Sequence, residues 1–189
     1  MQGRDKGLLR LHGQALVGHV VQRLQPQVGQ LLINANRHAR QYAAWGTVVA
    51  DAPDLPPQCG PLLGLATGLR ASLTPWVLSV PCDSPWLPQD LGARLWQGLG
   101  NATAPCAATP PRLAAAWANG RRQGVFVLAH RSLLPALEAW LRGGGRKVDA
   151  WLEHAGVIDV PFDDPAAFVN LNTPDDWHTA TQRSHASNG

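Results

Sequence analysis

Asp83 stands in the run Val-Pro-Cys-Asp-Ser-Pro, between Pro81 and Pro85 and directly after the apolar stretch Val77 to Val80. A carboxylate at the end of a strand, in a loop stiffened by two prolines, can bind Mg²⁺, which commonly takes one or two carboxylates plus phosphate oxygens. The same residue could instead cap the turn that follows it. Lys6 lies in Gly-Arg-Asp-Lys-Gly. A lysine flanked by glycines can approach a phosphate and offset charge that develops during phosphoryl chemistry, although a solvated lysine satisfies the same composition. Asn34 and Asn36, in Ile-Asn-Ala-Asn-Arg-His, could hydrogen-bond a base or ribose, or simply close a polar turn. Asn170 and Asn172 alternate in Val-Asn-Leu-Asn-Thr-Pro, so in extended chain both amides point to one side. Beside a helix N-terminus they could hold an anion, or they could satisfy their own turn.

Other chemistries find no support. Neither GxxxxGK[ST] nor GxGxxG occurs, which removes the common ATPase loop and the dinucleotide fingerprint. The 7 histidines are scattered without metal-like spacing, and neither a GxSxG nor a Cys/His dyad is present. Cys59, Cys82 and Cys106 are odd in number and widely spaced, which suits a reducing cytoplasm and small buried thiols. Charged residues are 15% of the 189 and the formal net charge is +3. A disordered chain needs lower hydrophobicity and more charge, and a nucleic-acid binder of the electrostatic kind needs dense Lys/Arg blocks. The mild basic excess suits a small anionic ligand. No apolar run approaches the 18 or so residues of a membrane span.

The elements that must position these residues follow from periodicity. Leu16, Val17, Val20, Val21 and Leu24 share one face of a helix over 15–24, stopped by Pro26. Short apolar runs at 30–34, 47–50 and 76–80 read as buried strands and end at Asn34, Asp51 and Asp83. Helices are predicted over 37–45, 62–73, 88–99, 132–141 and 148–154. Further strands are predicted over 104–109, 113–118, 124–128, 157–160 and 168–171. Thr173-Pro174-Asp175-Asp176 is a helix start, with Thr as cap, Pro at the first position and acids in the first turn. The 8 tryptophans read as core. Such alternation means a three-layer α/β/α domain with a mostly parallel sheet, in which ligands sit outside the carboxyl ends of the strands. Asn34, Asp51, Asp83 and Asn170 are therefore expected on one rim. The domain is expected to run over 1–182, with a frayed tail at 183–189.

Taken in order, five segments resemble the MobA family of molybdenum cofactor guanylyltransferases. They are Asp5-Lys6-Gly7-Leu8-Leu9, Ile33-Asn34-Ala35-Asn36-Arg37, Asp51 ahead of Gly60-Pro61-Leu62-Leu63-Gly64, Pro81-Cys82-Asp83-Ser84-Pro85, and Phe168-Val169-Asn170-Leu171-Asn172-Thr173-Pro174. The resemblance implies a Rossmann-like nucleotidyltransferase that moves GMP from GTP to the terminal phosphate of molybdopterin with Mg²⁺, releasing pyrophosphate. It implies that Lys6 contacts the GTP phosphates, that Asn34 and Asp51 hold the guanosine, and that Asp83 is the Mg²⁺ ligand close to the nucleotide. Asn170 and Asn172 would face the pterin side. Molybdoenzymes or their chaperones are further implied partners; nucleic acid and membrane are not. Related activities are a CTP- or sugar-phosphate-using nucleotidyltransferase, or a non-catalytic nucleotide- or cofactor-binding homologue. The family opens with a strand and a Gly-rich loop ahead of the lysine segment, whereas Met1 here stands five residues before Lys6. The fold is accordingly expected without that first strand, as an N-terminally incomplete domain.

Overall fold

The three layers originate in two strands whose core side chains alternate between the faces over 113–116 and 126–129. The structure, a computed structural model, describes residues 5–102 and 110–183. In β6 (Leu113–Ala118), Leu113 and Ala115 enter one core cluster while Ala114 and Ala116 enter another. In β7 (Arg121–His130), Val127 and Ala129 join the first cluster and Phe126 and Leu128 the second. A period of two places successive residues on opposite faces, so each face must be covered by its own helices. α3 (Pro61–Ala71), α5 (Leu134–Arg142) and α6 (Val148–His154) cover the first face with Leu62, Leu69, Leu137, Leu141, Trp151 and Leu152. α4 (Leu91–Asn101) covers the second with Leu91, Leu95 and Leu99, joined by Val20 of α1 (Leu16–Leu24).

The α/β class expected from the sequence is present, and its strand pairing is mixed. β5 (Trp76–Ser79), β7, β6 and β8 (Ile158–Pro161) form a sheet in the order 5-7-6-8. β6 and β8 are parallel, while β7 runs antiparallel to both β5 and β6. The antiparallel pair is a hairpin: Asn119 and Gly120 connect β6 to β7 with φ of 54° and 68°. Positive φ at both central residues is what an Asn-Gly turn supplies. A separate parallel pair joins β3 (Leu32–Asn34) to β4 (Thr47–Val49). A small antiparallel pair, β1 (Arg10–Leu11) with β2 (Gln14–Ala15), leads into α1.

Among the described residues β3 pairs only with β4, and β5 only with β7. Between β3 and β5 lies a groove of about 590 Å³. Val17, Val20 and Val21 of α1 and Gly64, Leu65 and Gly68 of α3 line it. Both strands start at the same end of this groove, where the Leu73 N–H donates to Gln30 Oε1 at 3.1 Å. α3 can begin at the groove because Gly60, at φ 61°, reverses the chain and Pro61 opens the helix.

Predicted and observed elements differ in several places, among them α4, which starts at Leu91 rather than at Pro88. The helix over 37–45 contracts to α2 (Ala39–Tyr42). β7 starts at Arg121, three residues before its predicted start. The strand predicted over 168–171 does not form: Asp164 Oδ1 accepts from the Ala166 N–H at 2.9 Å and starts a 3-10 turn over Pro165–Phe168, which buries Phe168 against Phe126 and Phe162. α7 (Pro174–Arg183) takes in Arg183, which had been placed in the tail. The predicted strand over 104–109 and Cys106 lie outside the described residues, as does the rest of the tail.

Candidate active site

Each chemistry-bearing residue sits where a strand or turn ends. Asp51 follows β4 and Asn34 closes β3, and the parallel register Asn34↔Val49 brings them level. Asn34 Nδ2 donates to Asp51 Oδ1 at 2.9 Å, and Asn36 Nδ2 donates to Asp51 Oδ2 at 2.6 Å. The Asp51 N–H returns a bond to Asn36 Oδ1 at 2.9 Å. Both oxygens of this carboxylate are thus oriented before any ligand arrives. Gly64 of α3 leaves room for the arrangement, since a Cβ there would stand 3.0 Å from Asn34 Oδ1.

Asp83 is 8% exposed, in the loop after β5. Its backbone carbonyl accepts from the Leu171 N–H at 3.0 Å, and the fully buried Ser84 donates from Oγ to Asn170 Oδ1. The 81–85 loop and the 170–172 segment are therefore laced together. Burial pushes the Asp83 carboxyl above the usual carboxylate range, and the nearby Lys6 ammonium opposes that shift. Lys6, in a 3-10 turn over Lys6–Leu8, donates from Nζ to Asn172 Oδ1. Asn172 is itself braced by α7, because Asp176 Oδ2 accepts from the N–H groups of Asn172 at 2.9 Å and Thr173 at 2.7 Å. The Asp176 N–H returns a bond to Thr173 Oγ1 at 3.1 Å, completing a reciprocal cap. Asp176, read from the sequence as a first-turn charge, thus also orders the segment that carries the two asparagines.

Contacts link the seven sequence-predicted residues into two groups, Asn34, Asn36 and Asp51 in one and Lys6, Asp83, Asn170 and Asn172 in the other, and four of the seven line one of two cavities. Asn34 and Asp83 line the apolar groove between β3 and β5. Asn170 and Asn172 line a second cavity of about 460 Å³, with Asn119, Arg121, Gln123 and Asp176. Lys6 is bonded to Asn172 of the second cavity and felt electrostatically by Asp83 of the first. Ser84, Asp5 and Tyr42 also belong to this assembly and were not singled out in the sequence. Ser84 is adjacent to Asp83, and Tyr42 is the one tyrosine of the chain.

The MobA-like NTP transferase domain matches residues 1–156 of this sequence. The chain belongs to that family. This transferase is 45% identical over 185 residues to a molybdenum cofactor guanylyltransferase of Cupriavidus necator, an alignment covering 97% of this chain and 90% of the relative. In fold it matches the molybdopterin-guanine dinucleotide biosynthesis protein A of Archaeoglobus fulgidus, with a TM-score of 0.75 at 18% identity, over 97% of this chain and 92% of that one. It also matches a Mycobacterium tuberculosis protein crystallised with manganese, with a TM-score of 0.63 at 20% identity, over 95% and 93% of the two chains. The transferase is a nucleotidyltransferase, and no helix among its described residues is long and apolar enough to cross a membrane.

Proposed function

We propose that the protein transfers GMP from GTP to the terminal phosphate of molybdopterin, forming the guanine dinucleotide cofactor. The observation that carries this reading is that Lys6 bonds Asn172, which lines the polar cavity, and acts on the charge of Asp83, which lines the apolar groove. The groove side offers a prearranged Asn34–Asp51–Asn36 cluster for the guanosine. The other side offers the Asn170 and Asn172 amides and a polar wall for the pterin. In the reaction an oxygen of the acceptor phosphate bonds to the α-phosphorus of GTP, the α–β anhydride breaks, and pyrophosphate leaves. The acceptor oxygen is already anionic, so no strong general base is needed, and positioning with charge compensation supplies most of the rate. Lys6 holds the phosphates and offsets their charge.

The residues present fit a divalent cation of the Mg²⁺ kind. Asp83 offers one buried, hard carboxylate oxygen donor at a strand end, and phosphate oxygens complete such a shell. Among the described residues no group of three His, Cys, Asp or Glu side chains is close enough to hold a metal ion unaided. When bound, the ion neutralises charge on the phosphate oxygens. The odd number and wide spacing of the three cysteines favour a cytoplasmic location, where molybdoenzymes or their chaperones would receive the product. The test incubates the purified protein with Mg²⁺, molybdopterin and either GTP or CTP, and measures pyrophosphate and the dinucleotide product. Product with GTP and little with CTP supports the reading; equal turnover, or turnover with CTP alone, overturns it.

A further inference from the structure

The Lys6 turn is held from beneath by a side chain of a different layer. Tyr42 ends α2, is 4% exposed, and packs with Val17, Val21 and Ile33 in the cluster that binds α1 to the β3–β4 pair. Trp45 meets its ring edge-on at 6.4 Å between centroids. With the ring fixed, the hydroxyl is fixed too, and it donates to Asp5 Oδ1 at 2.5 Å. Burial and the Asp5 carboxylate hold the phenol protonated far above its ordinary range, so it remains a donor. A Cβ on Gly7 would stand 2.5 Å from that hydroxyl and 3.2 Å from Cys82 Sγ, so only glycine lets the turn settle this low.

We infer that Tyr42 is a positioning residue for the transfer reaction: its hydroxyl anchors Asp5 and so fixes the direction in which Lys6 leaves the turn. Asp5 and Lys6 are neighbours of opposite charge. With Asp5 engaged by Tyr42, the Lys6 ammonium is free to face Asn172 and the phosphate region. Lys6 follows immediately after the anchored residue, so a rotation at Asp5 is carried and magnified along the lysine side chain to Nζ. The inference rests on the reading of Lys6 as the phosphate-contacting residue.

The experiment measures the Kd for GTP with Mg²⁺, by calorimetry, in Tyr42→Phe, Asp5→Asn, Lys6→Ala and the Tyr42→Phe/Lys6→Ala double variant, alongside urea midpoints to show that each folds. Tyr42→Phe keeps the ring and removes only the anchor. It should weaken GTP roughly tenfold, the size of one lost hydrogen bond to a charged group. Asp5→Asn should fall in the same range, because it weakens the same contact. In the Lys6→Ala background Tyr42→Phe should cost nothing further, since there is no ammonium left to place. Wild-type affinity in Tyr42→Phe beside a weakened Lys6→Ala overturns the inference alone. Equal losses from Tyr42→Phe in both backgrounds also overturn it, by assigning Tyr42 a merely structural role. Wild-type affinity in Lys6→Ala overturns the reading of Lys6 and the inference with it.

Discussion

Asn34 and Asp51 are joined across the β3–β4 pair by an Nδ2–Oδ1 hydrogen bond of 2.9 Å, seventeen residues apart in the chain. The bond exists because two parallel strands end at the same level, and it leaves the carboxylate aimed without any ligand. A fixed carboxylate can accept from the N–H donors of a guanine edge or from ribose hydroxyls without first losing rotational freedom. Asp51→Asn should therefore raise the Kd for GTP by roughly tenfold to a hundredfold, the value of one or two hydrogen bonds to a charged acceptor. The fold should be little affected. Calorimetric titration with GTP checks it, and unchanged affinity would remove Asp51 from the nucleotide site.

The legibility of this site in the sequence depended on how far each contact reaches. Asn34 and Asp51 could be placed together because short apolar runs end at both and parallel strands share an edge. Lys6 and Asn172, 166 residues apart, meet through a turn and a helix cap whose relative placement no local pattern encodes. The hairpin of β6 and β7 was announced by Asn119-Gly120, a strong short-range signal. It was hidden by the polar start of β7, since Arg121, Arg122 and Gln123 do not read as a strand interior. Phe168-Val169-Asn170-Leu171 misled in the opposite direction. Phe168 and Leu171 are in the core, yet the Asp164 cap draws Phe168 into a 3-10 turn instead of a ladder, and Val169 is left exposed. Tyr42 had no motif at all, and its role appears only once the Asp5 turn is folded over α2.

Acid should test the network that ties the loop after Asp51 to the helices behind it. Arg70 of α3 holds Asp54 with two bonds, Nη1–Oδ1 at 2.6 Å and Nη2–Oδ2 at 3.2 Å, and Arg142 of α5 adds a third at 3.1 Å. Arg70 also reaches Glu138. The Arg70 guanidinium holds the Asp54 carboxyl down to about 2. The folded state therefore binds fewer protons here than the unfolded chain. Its contribution is complete above the ordinary aspartate value near 4 and is lost as pH falls from there towards about 2. Arg70→Ala should lower the urea midpoint slightly at pH 7, as befits exposed pairs, and the gap from wild type should close on the way to pH 2. A gap that stays constant or widens in acid would assign the effect to packing.

Helix α4 meets β8 at a glycine, and that contact predicts a stability change. A Cβ on Gly98 would stand 2.3 Å from Val160 Cγ2. Valine is stiff about χ1, so the methyl cannot rotate away cheaply. Gly98→Ala gains helix propensity worth about 1 kcal/mol and meets overpacking of roughly 1–3 kcal/mol. The net expectation is destabilisation, read as a lower urea midpoint with an unchanged slope. The partner variant discriminates the cause: adding Val160→Ala should remove the clash, so the second substitution costs less in the Gly98→Ala background than in wild type. Strict additivity would mean that the two residues do not press on each other.

Asp83 brings stability and activity into opposition. Its carboxyl is buried and held above its usual range by that burial, with Lys6 only partly offsetting the effect. The folded protein thus keeps the Asp83 proton to a higher pH than the unfolded chain does. Stability from this group is complete below the unfolded value near 4 and falls as pH rises through the folded one. Asp83→Asn has nearly the same shape and no charge to bury, so it should raise the urea midpoint at pH 7, with an advantage that shrinks towards pH 4. The same change removes the one carboxylate assigned to the cation, and turnover with GTP should drop by roughly a hundredfold or more. A variant that is both stabler and inactive is expected of a residue kept for its chemistry. A variant that is less stable at pH 7 would show that the charge is better solvated than its burial implies, and one that turns over normally would place the cation elsewhere.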